Sequence, residues 1–257
     1  MRKTKLLALL ALVLLVMVAL KCCGGKKNAD DVHLPDTVQS GQEPSETVTE
    51  NTDMPLGAVR ENEGGGVIIT ITGKDGTAKD VLFTDVAADS WYIDAVNYAV
   101  SAGLMSGSAD DPIFLPDYGM QRLDFAAALY RFAEGESFPD GIDGTQTDQC
   151  VAWVTDHGYM KGKQDGDFDP SGYLSCEEAL IVIYRLAGEP KPEGTLENYP
   201  YAPKVSDYGA DAVAWAWNSG LIVEQECVWY PTQTISRAQV ALLLMRYSNM
   251  VSGVSSQ

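Results

Sequence analysis

Apolar and polar positions along the chain fall into three regimes. Leu6 to Leu20 runs without a single polar side chain, behind a charged start of Arg2, Lys3 and Lys5. Residues 24 to about 64 are the opposite, rich in Asp, Glu, Thr, Ser, Pro and Gly with no aromatic residue. Such a stretch buries too little apolar surface to offset the entropy of ordering it, so residues 24–66 are expected to be a disordered acidic tether ending at Gly64-Gly65-Gly66. Val67-Ile68-Ile69-Thr70-Ile71-Thr72 is then β-branched throughout, and a turn-like Gly73-Lys74-Asp75-Gly76 leads to a second short run from Thr77 to Leu82. That pattern predicts a small β-hairpin over 67–81. It needs support from the remainder of the chain, because a lone hairpin is marginal in water.

From residue 82 onward the pattern becomes helical and repeats. Ala95-Val96-Asn97-Tyr98, Cys150-Val151-Ala152-Trp153 and Ala212-Val213-Ala214-Trp215 each place a small residue and an aromatic on one helix face. Gly103, Gly158 and Gly220 come after them at the same interval, where a left-handed residue stops a helix. Phe114-Leu115-Pro116, Phe168-Asp169-Pro170 and Trp229-Tyr230-Pro231 then precede second helices that begin after Gln121, Ser175 and Ser236. The serines are the better N-caps. Glu177 and Glu178 suit a helix start, and Arg131, Arg185 and Arg246 suit helix ends. The chain is therefore expected to be mainly α, built of helix-loop-helix copies at 82–136, 137–190 and 198–250 that share one core, because a single pair is too small to stand alone.

Charge changes the picture of partners. The chain carries 18 basic and 36 acidic residues. Four of the basic ones (Arg2, Lys3, Lys5 and Lys21) lie in the first 21 positions, leaving 14 against 36 in the remainder. That field repels nucleic acid. The apolar run is too short for a membrane span and suits an export signal over residues 1–23. Cys22 and Cys23 stand after it like a lipid acceptor, although Lys21 occupies the place where a small residue normally would be; lipidation, simple cleavage and an uncleaved anchor all stay open. Cys150, Cys176 and Cys227 are an odd set that cannot all pair internally. They read as small buried apolar residues, with a Cys150–Cys176 bridge compatible but not required.

Phe83-Thr84-Asp85-Val86, Trp91-Tyr92, Gly103-Leu104-Met105-Ser106-Gly107, Phe114-Leu115-Pro116 and Met120-Gln121-Arg122-Leu123-Asp124 resemble a surface-layer homology repeat. The resemblance extends in three copies from 82 to about 250, with the first copy the best match. It implies a three-pronged spindle of pseudo-threefold symmetry, with grooves between repeats that hold a secondary cell-wall polymer or a modified peptidoglycan. The binding residues it implies are Asp85, Trp91, Gly103, Gly107 and Arg122 in the first copy, Gly158 and Gly162 in the second, and Asp207, Gly220 and Arg237 in the third. The later copies depart from the pattern: Gln146 stands near the Trp position, Cys176 replaces the Arg, and Glu224 replaces the second Gly.

The physics of such a groove is simple. A carboxylate-bearing sugar needs a fixed cation, and an Arg opening a helix adds its fork to the backbone N–H groups there. An aromatic face offers the ring an apolar platform, and glycine allows close approach. Each residue also has a structural role open to it: Asp85 can cap a helix, Trp91 can join the core, and Arg122 can pair with a carboxylate. The alternating acids of Asp165-Gly166-Asp167-Phe168-Asp169 lack the sixth-position Gly and twelfth-position Glu of a calcium loop. Neither a nucleophile–base pair nor a phosphate loop stands out, and His33 and His157 show no ligand spacing. The expectation is an exported, non-enzymatic surface protein without cofactor or metal. It would bind wall glycan, with or without a lipid anchor; a structural or protein-interaction module that has lost the glycan is the rival.

Overall fold

A computed structural model describes residues 56–253, apart from 74, 109, 136–143, 164–165 and 225–226. The export signal, Cys22, Cys23 and most of the expected tether lie outside the described residues.

The sheet comes first and has three strands: β1 (Ala58–Glu61), β2 (Val67–Thr72) and β3 (Ala78–Phe83), all antiparallel in that order. The β-branched run forms the central strand, with Val67 and Ile69 fully buried on one face. The expected hairpin is β2 and β3, paired from Val67↔Phe83 to Thr72↔Ala78. β1 is the difference: it lies inside the stretch read as tether, and it pairs Ala58 with Thr70 through to Glu61 with Val67. All four of its side chains are exposed, so hydrophobic patterning carried no sign of it. The fastening of β1 is polar. Asn97, buried on the first helix, accepts from Gly57 N at 3.0 Å and donates to Gly57 O at 2.8 Å. Ser101 Oγ accepts from the same amide at 2.9 Å. A Cβ at residue 57 would lie 2.6 Å from Thr70 O, so only glycine lets the chain enter here.

Six helices come next among the described residues: α1 (Ile93–Ser101), α2 (Arg122–Glu134), α3 (Gly144–Asp156), α4 (Cys176–Leu186), α5 (Ala210–Asn218) and α6 (Arg237–Ser252). The protein is mainly helical, as the periodicity implies. Ser175 and Ser236 close capping boxes with Glu178 and Gln239, whereas Gln121 makes no side-chain cap bond. The helices pack in a way the hairpin reading does not specify. α2 lies on α3, α4 on α5, and α6 returns to α1, so each main helix contact joins helices assigned to different expected copies.

Three extended residues close this arrangement. Met120 N donates to Ile235 O, Ile235 N to Leu174 O, and Leu174 N to Met120 O, at 2.9, 2.9 and 3.2 Å. The three residues occupy equivalent places just before α2, α4 and α6, and their side chains are fully buried. Short bridges flank them at Gly119↔Ser236, Gln121↔Tyr173 and Ser175↔Thr234. The core gathers around this ring, with Phe125, Leu129, Leu180, Ile183, Leu243 and Leu244 inside.

A second device recurs three times. Arg131 and Arg185, in the last turns of their helices, and Arg246, which lies short of its helix end because α6 runs on to Ser252, donate through Nη1 to Leu104 O, Tyr159 O and Leu221 O at 3.0, 3.1 and 3.4 Å. Each ties the second helix of a copy to the carbonyl beyond the glycine that ends its first.

Candidate functional site

The starts of α2, α4 and α6 meet the loop of another copy, and these seams are where the candidate residues converge. The first two amides of each helix are already bonded. Arg122 N and Leu123 N donate to Gly172 O and Pro170 O, Cys176 N and Glu177 N to Gln233 O and Pro231 O, and Arg237 N and Ala238 N to Tyr118 O and Pro116 O. At α4 and α6 the third amide goes to the cap serine. The helix-start amides expected to greet an anion are therefore spent on the fold, and any anion recognition falls to side chains.

Two seams carry an arginine. Arg122 donates from Nε to Phe168 O at 2.8 Å and from Nη2 to Lys161 O at 2.7 Å, with its guanidinium 4.8 Å over the Phe168 ring. Arg237 does the same on the first copy, from Nε to Phe114 O at 2.9 Å and from Nη2 to Ser106 O at 2.6 Å, 4.9 Å over the Phe114 ring. Among the described residues neither forms a close pair with a carboxylate: Arg237 Nη1 is 4.0 Å from Asp124. Arg122 is only 7% exposed. Burial lowers the Arg237 pKa, opposed by the carboxylates of Asp124 and Asp85, and a guanidinium keeps its proton through such a shift. At the third seam Cys176 takes the arginine's place, fully buried.

Both arginines border open space. One cavity of about 260 Å³ is lined by Arg237, Arg131, Ser106, Met120, Leu123 and Asp124. Another of about 130 Å³ is lined by Arg122, Arg185, Lys161, Glu178, Leu174 and Tyr208. Position by position these are the same site in two places, with an arginine from one copy and an arginine and an acid from the next. Glu178 also accepts from the Ser175 amide, so the Arg122 cavity presents Arg122, Arg185 and Lys161 beside one carboxylate. Chemically, each cavity suits a small anion that can share two arginines.

The remaining candidates divide between the seams and the scaffold. Asp85 accepts from Phe114 N at 2.8 Å and Leu115 N at 2.7 Å. It thus braces the loop whose Phe114 carbonyl receives Arg237 and caps no helix. Gly107 and Gly162 are the close approaches: a Cβ would meet Ile113 O at 2.4 Å in the first and Gly166 O at 2.8 Å in the second. Gly103, Gly158 and Gly220 sit at φ of 68, 71 and 74° as helix stops, and line neither cavity. Trp91 is 41% exposed rather than core, edge-on to Tyr92 at 5.1 Å, and it also lies outside both cavities. Asp207 opens the one-turn helix before α5 and, among the described residues, makes no bond of the kind Asp85 makes.

Sequence reading missed Tyr208. It is 71% exposed, and its phenol donates to the buried Glu177 at 3.0 Å, which also accepts from Ser206. Its signal was present, because Tyr208 precedes Gly220 by the same interval as Trp91 precedes Gly103. Cys150, Cys176 and Cys227 form no disulfide. Asp169 of the calcium-like run is paired with Lys163. Among the described residues no cluster of His, Cys, Asp or Glu is arranged to hold a metal, and no helix is long and apolar enough to cross a membrane.

The loop and helix start that present Phe114 and Arg122 coincide with a known family pattern. Residues 82–126 match the S-layer homology domain. The chain is similar to S-layer and surface proteins over more than that stretch. It is 26% identical over 160 residues to cell surface glycoprotein 1 of Acetivibrio thermocellus, covering 56% of this chain and 7% of that protein. It is 26% identical over 173 residues to the S-layer protein sap of Bacillus anthracis, covering 64% of this chain and 21% of that protein. The cellulosome-anchoring protein of Acetivibrio thermocellus is 25% identical over 145 residues, covering 51% of this chain and 32% of that protein. The chain thus spans a third or less of the length of these relatives.

Proposed function

We propose that the protein is a non-catalytic anchoring module of the cell surface. Three S-layer homology copies, related by a pseudo-threefold axis in a spindle, hold a secondary cell-wall polymer or peptidoglycan-linked glycan in the grooves between them. The backbone ring of Met120, Leu174 and Ile235 and the repeated Arg131, Arg185 and Arg246 bonds support the threefold reading. The names of the S-layer and anchoring relatives support the location. The observation that carries the function is that Arg122 and Arg237 each reach across a seam to border a cavity shared with a second arginine, Arg185 or Arg131. On this reading an acidic sugar is the ligand, Gly107 and Gly162 keep the groove floor low, and Asp85 holds one wall. Trp91, Gly103, Gly158, Asp207 and Gly220 act through the scaffold. Residues 1–23 direct export, and lipid on Cys22 or Cys23 would fix the tether to a membrane.

The test is sedimentation with purified cell walls, compared with walls stripped of their polymer. Untreated walls should retain the protein and stripped walls should not. Replacing Arg122 and Arg237 together with Met should weaken retention by about tenfold or more, given the strength of arginine–carboxylate bonds. Equal retention on both wall preparations would sink the reading. One observation favours a rival, a structural or protein-interaction module. The two guanidinium groups are largely consumed by backbone carbonyls, and on that reading their loss lowers stability while wall binding is unchanged.

A further inference from the structure

The third seam has to solve the problem that arginine solves at the other two. Where Arg122 and Arg237 stand, each satisfies two carbonyls of the next copy: that of the residue three after the stop glycine, and that of the loop aromatic. The equivalent carbonyls at the third seam belong to Val223 and Trp229. Left alone beside Cys176 they would be inadequately satisfied in a buried place, which is costly. They are not alone. Trp229 Nε1 donates to Val223 O at 3.0 Å, and the Tyr199 phenol donates to Trp229 O. Tyr199, Trp229 and Cys176 are all buried.

We propose that Tyr199 and Trp229 serve, from inside the third copy, the carbonyls that an arginine of a neighbouring copy serves at the other two seams, leaving this seam, with Cys176 beside it, a structural joint that is not an anion site. The thiol stays protonated at neutral pH, because burial pushes Cys176 up to about 12. Burial also raises the Tyr199 phenol, with Cys176, Tyr201 and nearby acids adding to the shift. Glu224, in place of the close-approach glycine of the other two seams, adds negative charge here. The inference holds whatever ligand the cationic seams take, so it survives if the wall-binding reading fails.

A double-mutant cycle tests it. Tyr199→Phe removes only the phenol donor and should lower Tm by several degrees. Cys176→Arg should be severely damaging in the native background, where the carbonyls are occupied. It should be less so with Tyr199→Phe, which frees the Trp229 carbonyl for a guanidinium. Folding of Cys176→Arg only in the Tyr199→Phe background would be the strongest form of that coupling. Equal damage in both backgrounds, or an unchanged Tm for Tyr199→Phe, overturns the proposal.

Discussion

Single side chains in this protein are defined by which backbone groups they serve. Asp85 satisfies two amides of a loop in which Leu115 is held at φ 61°, a conformation that disfavours side chains. Arg122 and Arg237 serve carbonyls, and in doing so put positive charge at a cavity edge. Buried acidic groups set the response to pH. Cys176 is pushed from 9.0 to about 12 and Tyr247 from 10.0 to about 12, both by burial. Their folded-state pKa values are raised, so the folded chain holds these protons more tightly than the unfolded one. The stability they contribute is whole below pH 9 and is lost as pH climbs toward 12. Tm measured from pH 7 to 11 should be level at first and then fall above about 9, and Cys176→Ala should delay that onset. An alkaline limb that begins well below pH 8 would contradict this.

At the scale of elements, the helices were legible in the chain because their apolar positions and stop glycines recur. The sheet was legible only in part. β2 and β3 announce themselves by β-branched residues, whereas β1 is a polar exposed strand fastened by Asn97 and Ser101, which no periodicity reveals. The site shows the same division. The arginines could be found from their place at helix starts, but their acceptors lie in other copies, and Tyr208 reaches Glu177 across a seam that a linear pattern does not join. The polar fastening of β1 makes a clear expectation. Gly57→Ala forces a Cβ against Thr70 O, and Asn97→Ala strands the carbonyl of residue 57 and leaves its amide with Ser101 alone. Each should cost about 1–3 kcal/mol. Hydrogen exchange should speed up in 58–61 ahead of the helices.

At the scale of the whole molecule, the pairing of α2 with α3, α4 with α5 and α6 with α1 leaves no copy with its apolar surface covered by its own two helices alone. Removing one part should therefore be felt everywhere. Leu174→Ala, at the centre of the ring, is expected to cost about 2–5 kcal/mol and to lower one shared unfolding transition seen by both fluorescence and circular dichroism. Two separated transitions would show that the copies melt independently. The ring has a further consequence. Because the last helix lies on the first, the order in which the copies are threaded matters little to the contacts they make. A chain begun in the loop after α4 and joined from residue 253 back to 56 could form the same bonds. The closed circuit also means that a pull between the two ends of the folded body loads the α1–α6 face together with the bonds that fasten β1 to β2 and to Asn97, and not only the links along the polypeptide.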